Sequence, residues 1–158
     1  MLYSIPQFQE YQFLIDLVPT EQTSSYKDKE NVIFLNPKLI LSTNILFSAI
    51  YKNTTTFKYT NTKLTDTNFI RDLYINLLAV TNVKKLAFDL FSNDPSADKC
   101  LKIELLSQNE NEKNDYITQD LNLLAEELLE MRDLDKIKEI YGTSDETKIN
   151  EFIQMRGL

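Results

Sequence analysis

Three glutamates on one predicted helix are the residues best placed for chemistry. Glu126, Glu127 and Glu130 lie together on the polar side of a helix predicted over 115–133. Two carboxylates at i and i+4 could hold a divalent cation, or one of them could accept a proton. The local sequence offers no apolar surroundings that would desolvate them, so a solvated helix face is favoured over a catalytic site. We therefore predict no catalytic residue, no metal site and no cofactor.

The composition excludes most other routes to catalysis. The chain has no histidine, a single cysteine, Cys100, and only two glycines, Gly142 and Gly157. Triads and zinc sites built on imidazole are therefore absent, and the thiol has no imidazole base. Gly-rich phosphate loops are absent because they need glycine where the backbone approaches phosphate. Cys100 opens an apolar strand and is predicted to be a small buried residue.

A polar loop is the second place where a metal ion could be considered. Asp94, Ser96 and Asp98 fall at alternate positions, as oxygen ligands do at the start of a calcium-binding loop. However, Lys99 stands at the sixth position, where an EF-hand needs glycine, and Leu105 at the twelfth, where it needs glutamate. The sequence therefore favours an ordinary loop here.

Interleaved aromatic and basic residues offer an alternative activity, the binding of single-stranded nucleic acid. The residues are Phe57, Lys58, Tyr59 and Lys63, on and after a strand predicted over 55–60. Sheets that bind single strands stack bases on aromatic side chains in this way. The few basic residues make the electrostatic attraction small, so an edge strand protected by lysines is the favoured interpretation.

Hydrophobic periodicity predicts the helices and strands that would position the candidate residues. It predicts helices over 4–18, 37–51, 67–81, 115–133 and 144–156, and a further helix that ends at Tyr141. It predicts strands over 32–35, 55–60, 86–90 and 101–105, and a loop over 20–30. Segment 37–51 could form two strands instead, because Ser42, Thr43 and Asn44 weaken the helical pattern.

The helix over 115–133 carries the strongest pattern. Its apolar residues recur at spacings of four and three, and a seam of two heptads favours packing within the monomer over a coiled-coil homodimer. The seam consists of Ile117, Leu121, Leu124, Leu128 and Met131, widened by Leu123 and Leu129. Gly142 is predicted to end the following helix. Thr143 and Glu146 are predicted to form a capping box for the last helix, which should bury Ile149, Phe152 and Ile153.

These elements predict an α+β fold with a small, mostly antiparallel sheet of three or four strands packed by helices. We predict one domain over 1–158. Residues 1–110 would form a mixed α/β core, and an acidic helical C-terminal region, 114–158, would pack on it.

Charge is segregated along the chain. Of the net charge of −7, residues 1–100 contribute nothing, whereas residues 101–158 hold fourteen acidic and seven basic side chains. An acidic surface argues against general nucleic-acid binding and suits a basic protein partner. The N-terminus lacks a secretory signal and no segment has the character of a membrane span, so a cytoplasmic location is expected.

The sequence therefore predicts a non-enzymatic protein-binding module of the inhibitor, immunity, chaperone or assembly-subunit type. An acidic helical face would meet the basic surface of the partner through Asp120, Glu126, Glu127, Glu130 and Asp133. The alternatives are a small subunit of a nucleoprotein complex and, third, a carboxylate- or metal-dependent enzyme. A homodimer stays open.

Overall fold

A computed structural model gives the fold. It describes residues 1–26, 29, 31–59, 72–74, 76–77, 91–92, 94–106 and 120–155. The predicted strand over 86–90 and the turn that contains Lys63 lie outside these residues. Residues 72–74 and 76–77 are helical, as predicted for 67–81, and the remainder of that helix is likewise outside the described residues.

Four strands form one antiparallel sheet in the order β1-β2-β4-β3. They are β1 (Leu2–Ile5), β2 (Phe8–Pro19), β3 (Val32–Leu35) and β4 (Lys99–Leu106). The strand predicted over 32–35 has the bounds of β3, and the strand predicted over 101–105 lies within β4. Helices pack on this sheet, which confirms the predicted α+β fold.

The predicted helix over 4–18 is wrong, because this segment forms the end of β1 and most of β2. β2 lies between β1 and β4, and side chains on both of its faces are buried: Phe13 and Ile15 on one, Leu14 and Asp16 on the other. A strand buried on both faces shows an almost continuous apolar run instead of alternation. Its sequence therefore has no period of two and can be mistaken for a helix face.

The second face of the sheet holds buried charges. Lys102 and Glu104 of β4 are only 6% and 9% exposed. The Lys102 ammonium lies 3.3 Å from the Tyr26 hydroxyl and 3.8 Å from the Glu104 carboxylate. The Met1 amino group pairs with the Asp16 carboxylate on neighbouring β2. Each charge therefore has a partner, as burial requires.

Helix α1 (Thr43–Tyr59) begins later and ends later than predicted. Asn36 and Pro37 start only a short 3₁₀ helix, Pro37–Leu39, and the Ser42 hydroxyl then accepts from the Ile45 N–H at the start of α1. The helix prediction is thus correct for 43–51, and the alternative of two strands is wrong there.

The predicted strand over 55–60 is also wrong, since α1 continues through Tyr59. Threonines disfavour a helix partly because their hydroxyls compete for backbone groups. Here the hydroxyls of Thr54, Thr55 and Thr56 donate to carbonyls three or four residues back, within the helix itself. The helix also buries Phe57 one turn beyond Thr54. Tertiary burial therefore overrides the strand preference of threonine.

Three helices form the C-terminal region: α2 (Leu121–Met131), α3 (Leu134–Tyr141) and α4 (Glu146–Met155). Gly142 ends α3 with φ 75°, as predicted. The capping box needs correction, because the Asp145 carboxylate caps α4 by accepting from the Lys148 N–H, while the Glu146 carboxylate accepts from the Ser42 hydroxyl at 2.6 Å.

The apolar faces of these helices are narrower than predicted. Leu124 and Leu128 of α2 and Ile149 and Ile153 of α4 are fully buried, as expected. Four residues predicted to lie on apolar faces instead have 40–47% of their surface exposed: Leu121, Leu123, Leu129 and Phe152. Of these, Leu121 belongs to the predicted seam.

One apolar cluster joins the sheet to all four helices. It includes Phe13 and Ile103 from the sheet together with Ile50 of α1, Leu124 of α2 and Ile149 of α4. α4 runs parallel to α1, because Ser42 contacts Glu146 at one end and Lys52 donates to the Gln154 carbonyl at the other. In the described part of the chain, no helix is both long and apolar enough to cross a membrane.

Candidate partner-binding face

Beside its buried face, α2 carries two neighbouring rows of side chains, and the row nearer the core includes the partly buried Met131. Because Leu124 and Leu128 face the core, residues half a turn away face outward. One row, at spacings of four, is Leu123, Glu127 and Met131. The second row, which lies farther from the core, is Glu126 and Glu130.

A groove of about 810 Å³ runs along this side of α2. We call it the α2 groove. Its lining consists of Lys38, Ser96, Ala97, Asp98, Lys99, Leu123, Glu126, Glu127, Glu130 and Met131. The predicted polar loop before β4 therefore forms the wall opposite the helix. The structure thus brings three of the five predicted acidic residues together at one concave surface.

Charges in the α2 groove are only partly paired. The Lys99 ammonium lies 3.5 Å from the Glu127 carboxylate, which is 23% exposed. Glu126 and Glu130 are exposed and have no ion-pair partner within the residues that the structure describes. Lys38 lies on the opposite wall. The outer row of carboxylates is thus available to a basic group.

The other two predicted acidic residues act as helix caps. The Asp120 carboxylate accepts from the Asn122 N–H at 2.7 Å, and the Asp133 carboxylate accepts from the Lys136 N–H at 3.2 Å. A capping carboxylate satisfies backbone donors that the first turn leaves unpaired. Asp120 and Asp133 therefore stabilise the ends of α2 and α3 and lie outside the groove lining.

The bend between α2 and α3 is fixed to the segment that carries Lys38. The Arg132 Nη1 donates to the Leu41 carbonyl at 2.9 Å, and the Asp133 N–H donates to the Lys38 carbonyl at 2.8 Å. These bonds hold α2 at a set distance from one wall of the α2 groove. Sequence reasoning missed this pairing because the partners are about ninety residues apart.

Exposed apolar side chains concentrate in the same C-terminal region. Among the described residues, six of the nine large apolar side chains that are exposed lie in it: Leu121, Leu123, Leu129, Leu134, Phe152 and Met155. Leu123 and Leu129 flank the outer carboxylate row of α2. The sequence contained a signal for the exposure of Leu123 and Leu129, because both lie off the predicted seam of the helix.

The residues proposed for nucleic acid do not form a stacking surface on a sheet. Phe57 is buried, with 5% of its surface exposed, and so presents no open ring face. Lys58 and Tyr59 are exposed at the end of α1, and Lys63 lies outside the described residues. The strand that this alternative required is a helix.

The surroundings of Asp94 and Cys100, two further residues considered for chemistry, favour structural roles for both. The Asp94 carboxylate accepts from the Ser96 N–H and hydroxyl at 2.9 Å and 2.7 Å, and these bonds lower the pKa of Asp94. Cys100 is buried, as predicted, and burial raises the pKa of its thiol. A raised pKa keeps the thiol protonated and unreactive near neutral pH.

Comparison with known proteins identifies a family. Residues 12–156 match the model of the family described as kinase binding protein CGI-121. The chain is also 26% identical over 183 residues to the EKC/KEOPS complex subunit CGI121 of Candida albicans, an alignment that covers 96% of this chain and 89% of the relative.

The matches and the exposed helical face define a class, that of partner-binding subunits. The family match extends over most of β2, over β3 and β4, and over helices α1 to α4, and so includes the residues that line the α2 groove. The chain belongs to the CGI-121 family.

Proposed function

We propose that this chain is a non-enzymatic subunit of an EKC/KEOPS-type complex and that it binds a protein kinase through the acidic face of α2. The description of its family and the name of its Candida relative support the kinase and the complex. A cytoplasmic location is part of the proposal, since the thiol is free and buried.

The observation that carries this proposal is the exposure of two leucines beside unpaired carboxylates. Leu123 and Leu129 are each 47% exposed, one on either side of Glu126 and Glu130. Binding interfaces combine an apolar centre that becomes buried with polar groups around it. A purely solvated helix face has no need of the two leucines.

The acidic charge supports fast association with a basic partner surface. Three of the five predicted acidic residues lie on α2 with the exposed leucines, and Asp120 and Asp133 cap α2 and α3. Opposite charges steer an encounter, and salt screens them beyond about 8 Å at physiological ionic strength. We therefore expect the association rate with the kinase to fall as salt is raised.

The experiment is affinity purification of the tagged full chain from its source cell, followed by identification of any kinase that co-elutes. The Leu123→Ala/Leu129→Ala double variant should lose on the order of 1 kcal/mol of binding per leucine. Leu2→Ala is the matched control, because Leu2 is 48% exposed on β1, away from α2. Absence of a co-eluting kinase, or unchanged binding of the double variant, would contradict the proposal.

A further inference from the structure

The two rows of α2 give the α2 groove a mixed inner surface, on which Leu123 and Met131 flank Glu127, and a charged outer edge. The inner row, Leu123, Glu127 and Met131, faces the loop wall, and its one charge is paired with Lys99. The outer row, Glu126 and Glu130, lies one helical turn apart and is exposed. Side chains at this spacing are about 5–6 Å apart.

The signs of the charges limit what can occupy the α2 groove. Among the residues that the structure describes, the lining contains four acidic side chains, Asp98, Glu126, Glu127 and Glu130, and two basic ones, Lys38 and Lys99. An acidic or neutral segment would cover Glu126 and Glu130 without giving them a partner, and a desolvated charge without a partner is costly. A segment with basic side chains removes that cost.

The size of the α2 groove suits a short segment of a partner protein. A volume of about 810 Å³ is within the range of sites that enclose several side chains or a ligand. The groove is open along its length, because Ser96, Ala97 and Asp98 form only one wall. It can therefore receive side chains from a chain that lies across it.

Building on the proposed kinase binding, we infer that the α2 groove receives a segment of the kinase with two basic side chains about one helical turn apart beside an aliphatic side chain. The basic groups meet Glu126 and Glu130. The aliphatic side chain packs against the exposed Leu123. Lys38 and Lys99 repel the basic side chains of this segment, and Lys99 pairs with Glu127 within the groove.

The inference predicts the sign of the effect of four charged residues of the α2 groove. Glu126→Gln and Glu130→Gln should each raise the dissociation constant for the purified kinase about 1.5- to fivefold, the range expected for an exposed ion pair. Lys38→Gln and Lys99→Gln should each lower it by a similar factor. Lys99→Gln should also steepen its dependence on salt, because it removes a positive charge that lies 3.5 Å from the Glu127 carboxylate.

Matched controls distinguish an effect of charges in the α2 groove from an effect of the net charge of the protein. Glu151→Gln and Lys148→Gln change exposed residues of α4, outside the groove, and should leave the dissociation constant unchanged. Two results would overturn the inference while leaving kinase binding intact. In the first, the wild-type chain binds the kinase but removal of the groove lysines weakens binding. In the second, the glutamate variants bind the kinase as tightly as the wild-type chain does. If the wild-type chain does not bind any kinase, both the inference and the proposed function fail.

A cross-link identifies the bound segment directly. A photoreactive phenylalanine derivative placed at position 123 of the full chain should cross-link, in the kinase complex, to a peptide that contains two basic residues beside an aliphatic one. A cross-link to an acidic or uncharged peptide, or no cross-link in a complex that still forms, would overturn the inference.

Discussion

Two buried tyrosines each join distant parts of the chain through a hydrogen bond of the phenol hydroxyl. The Tyr141 hydroxyl donates to the Leu77 carbonyl at 2.7 Å, and the Tyr74 hydroxyl donates to the Phe34 carbonyl at 3.2 Å. Burial raises the pKa of both phenols above the usual value of 10.0. Both therefore stay neutral in the folded protein at a pH where they would ionise in the unfolded chain.

These pKa shifts predict a loss of stability at high pH. A folded pKa above the unfolded one gives stability that is fully present below about pH 10 and is lost as the pH rises above that value. Tyr141→Phe should lower the free energy of unfolding by about 1–2 kcal/mol near pH 8, because the Leu77 carbonyl loses its partner. Between about pH 9.5 and pH 11 the variant should lose less stability than wild type, since phenylalanine cannot ionise.

Urea unfolding across this pH range measures both effects. Tyr51→Phe is the control, because Tyr51 is 37% exposed on α1. Equal pH slopes for wild type and Tyr141→Phe would show that burial of this phenol does not govern the alkaline transition.

At the scale of single elements, local sequence determines several helix ends, whereas the choice between helix and strand can depend on distant contacts. The caps at Asp120, Asp133 and Asp145 and the stop at Gly142 use only neighbouring backbone groups. The end of α1 is different, because its threonines favour a strand and only the buried Phe57 and the internal hydroxyl bonds make it a helix.

Gly142→Ala tests how much the left-handed cap contributes. Gly142 has φ 75°, and a Cβ there would meet no atom within 4 Å, so backbone strain alone sets the cost. We expect a loss of about 1–2 kcal/mol in the free energy of unfolding. Gly142→Asn should lose less, because asparagine tolerates this conformation better. Equal losses from the two substitutions in urea unfolding would contradict this explanation.

For the whole molecule, the important contacts join segments far apart in sequence. The Arg132 side chain ties the bend between α2 and α3 to Leu41, and the α1–α4 pair is held by Ser42 with Glu146 and by Lys52 with the Gln154 carbonyl. These contacts set the position of the α2 groove relative to the sheet.

Arg132→Met should therefore affect both stability and binding. Loss of a hydrogen bond from a charged donor to the Leu41 carbonyl should cost about 1.5–3 kcal/mol of stability. Binding of the kinase should weaken as well, even though Arg132 does not line the α2 groove. Thermal unfolding and a binding titration measure the two effects, with Lys148→Met, an exposed change on α4, as control. Unchanged binding would show that the bend does not position the groove.

The sequence by itself determined the class of fold, the strands β3 and β4, the helices of the C-terminal region, the stop at Gly142 and the acidic face of α2. Each of these depends on local periodicity or on composition, which a single sequence displays directly. Prediction from the sequence failed at β2 and at the end of α1, where burial against distant segments overrides the local preference for helix or strand. Only the tertiary structure decided that Glu126, Glu127 and Glu130 share a groove with Lys38 and Lys99, because a groove is made by segments that the chain brings together only on folding.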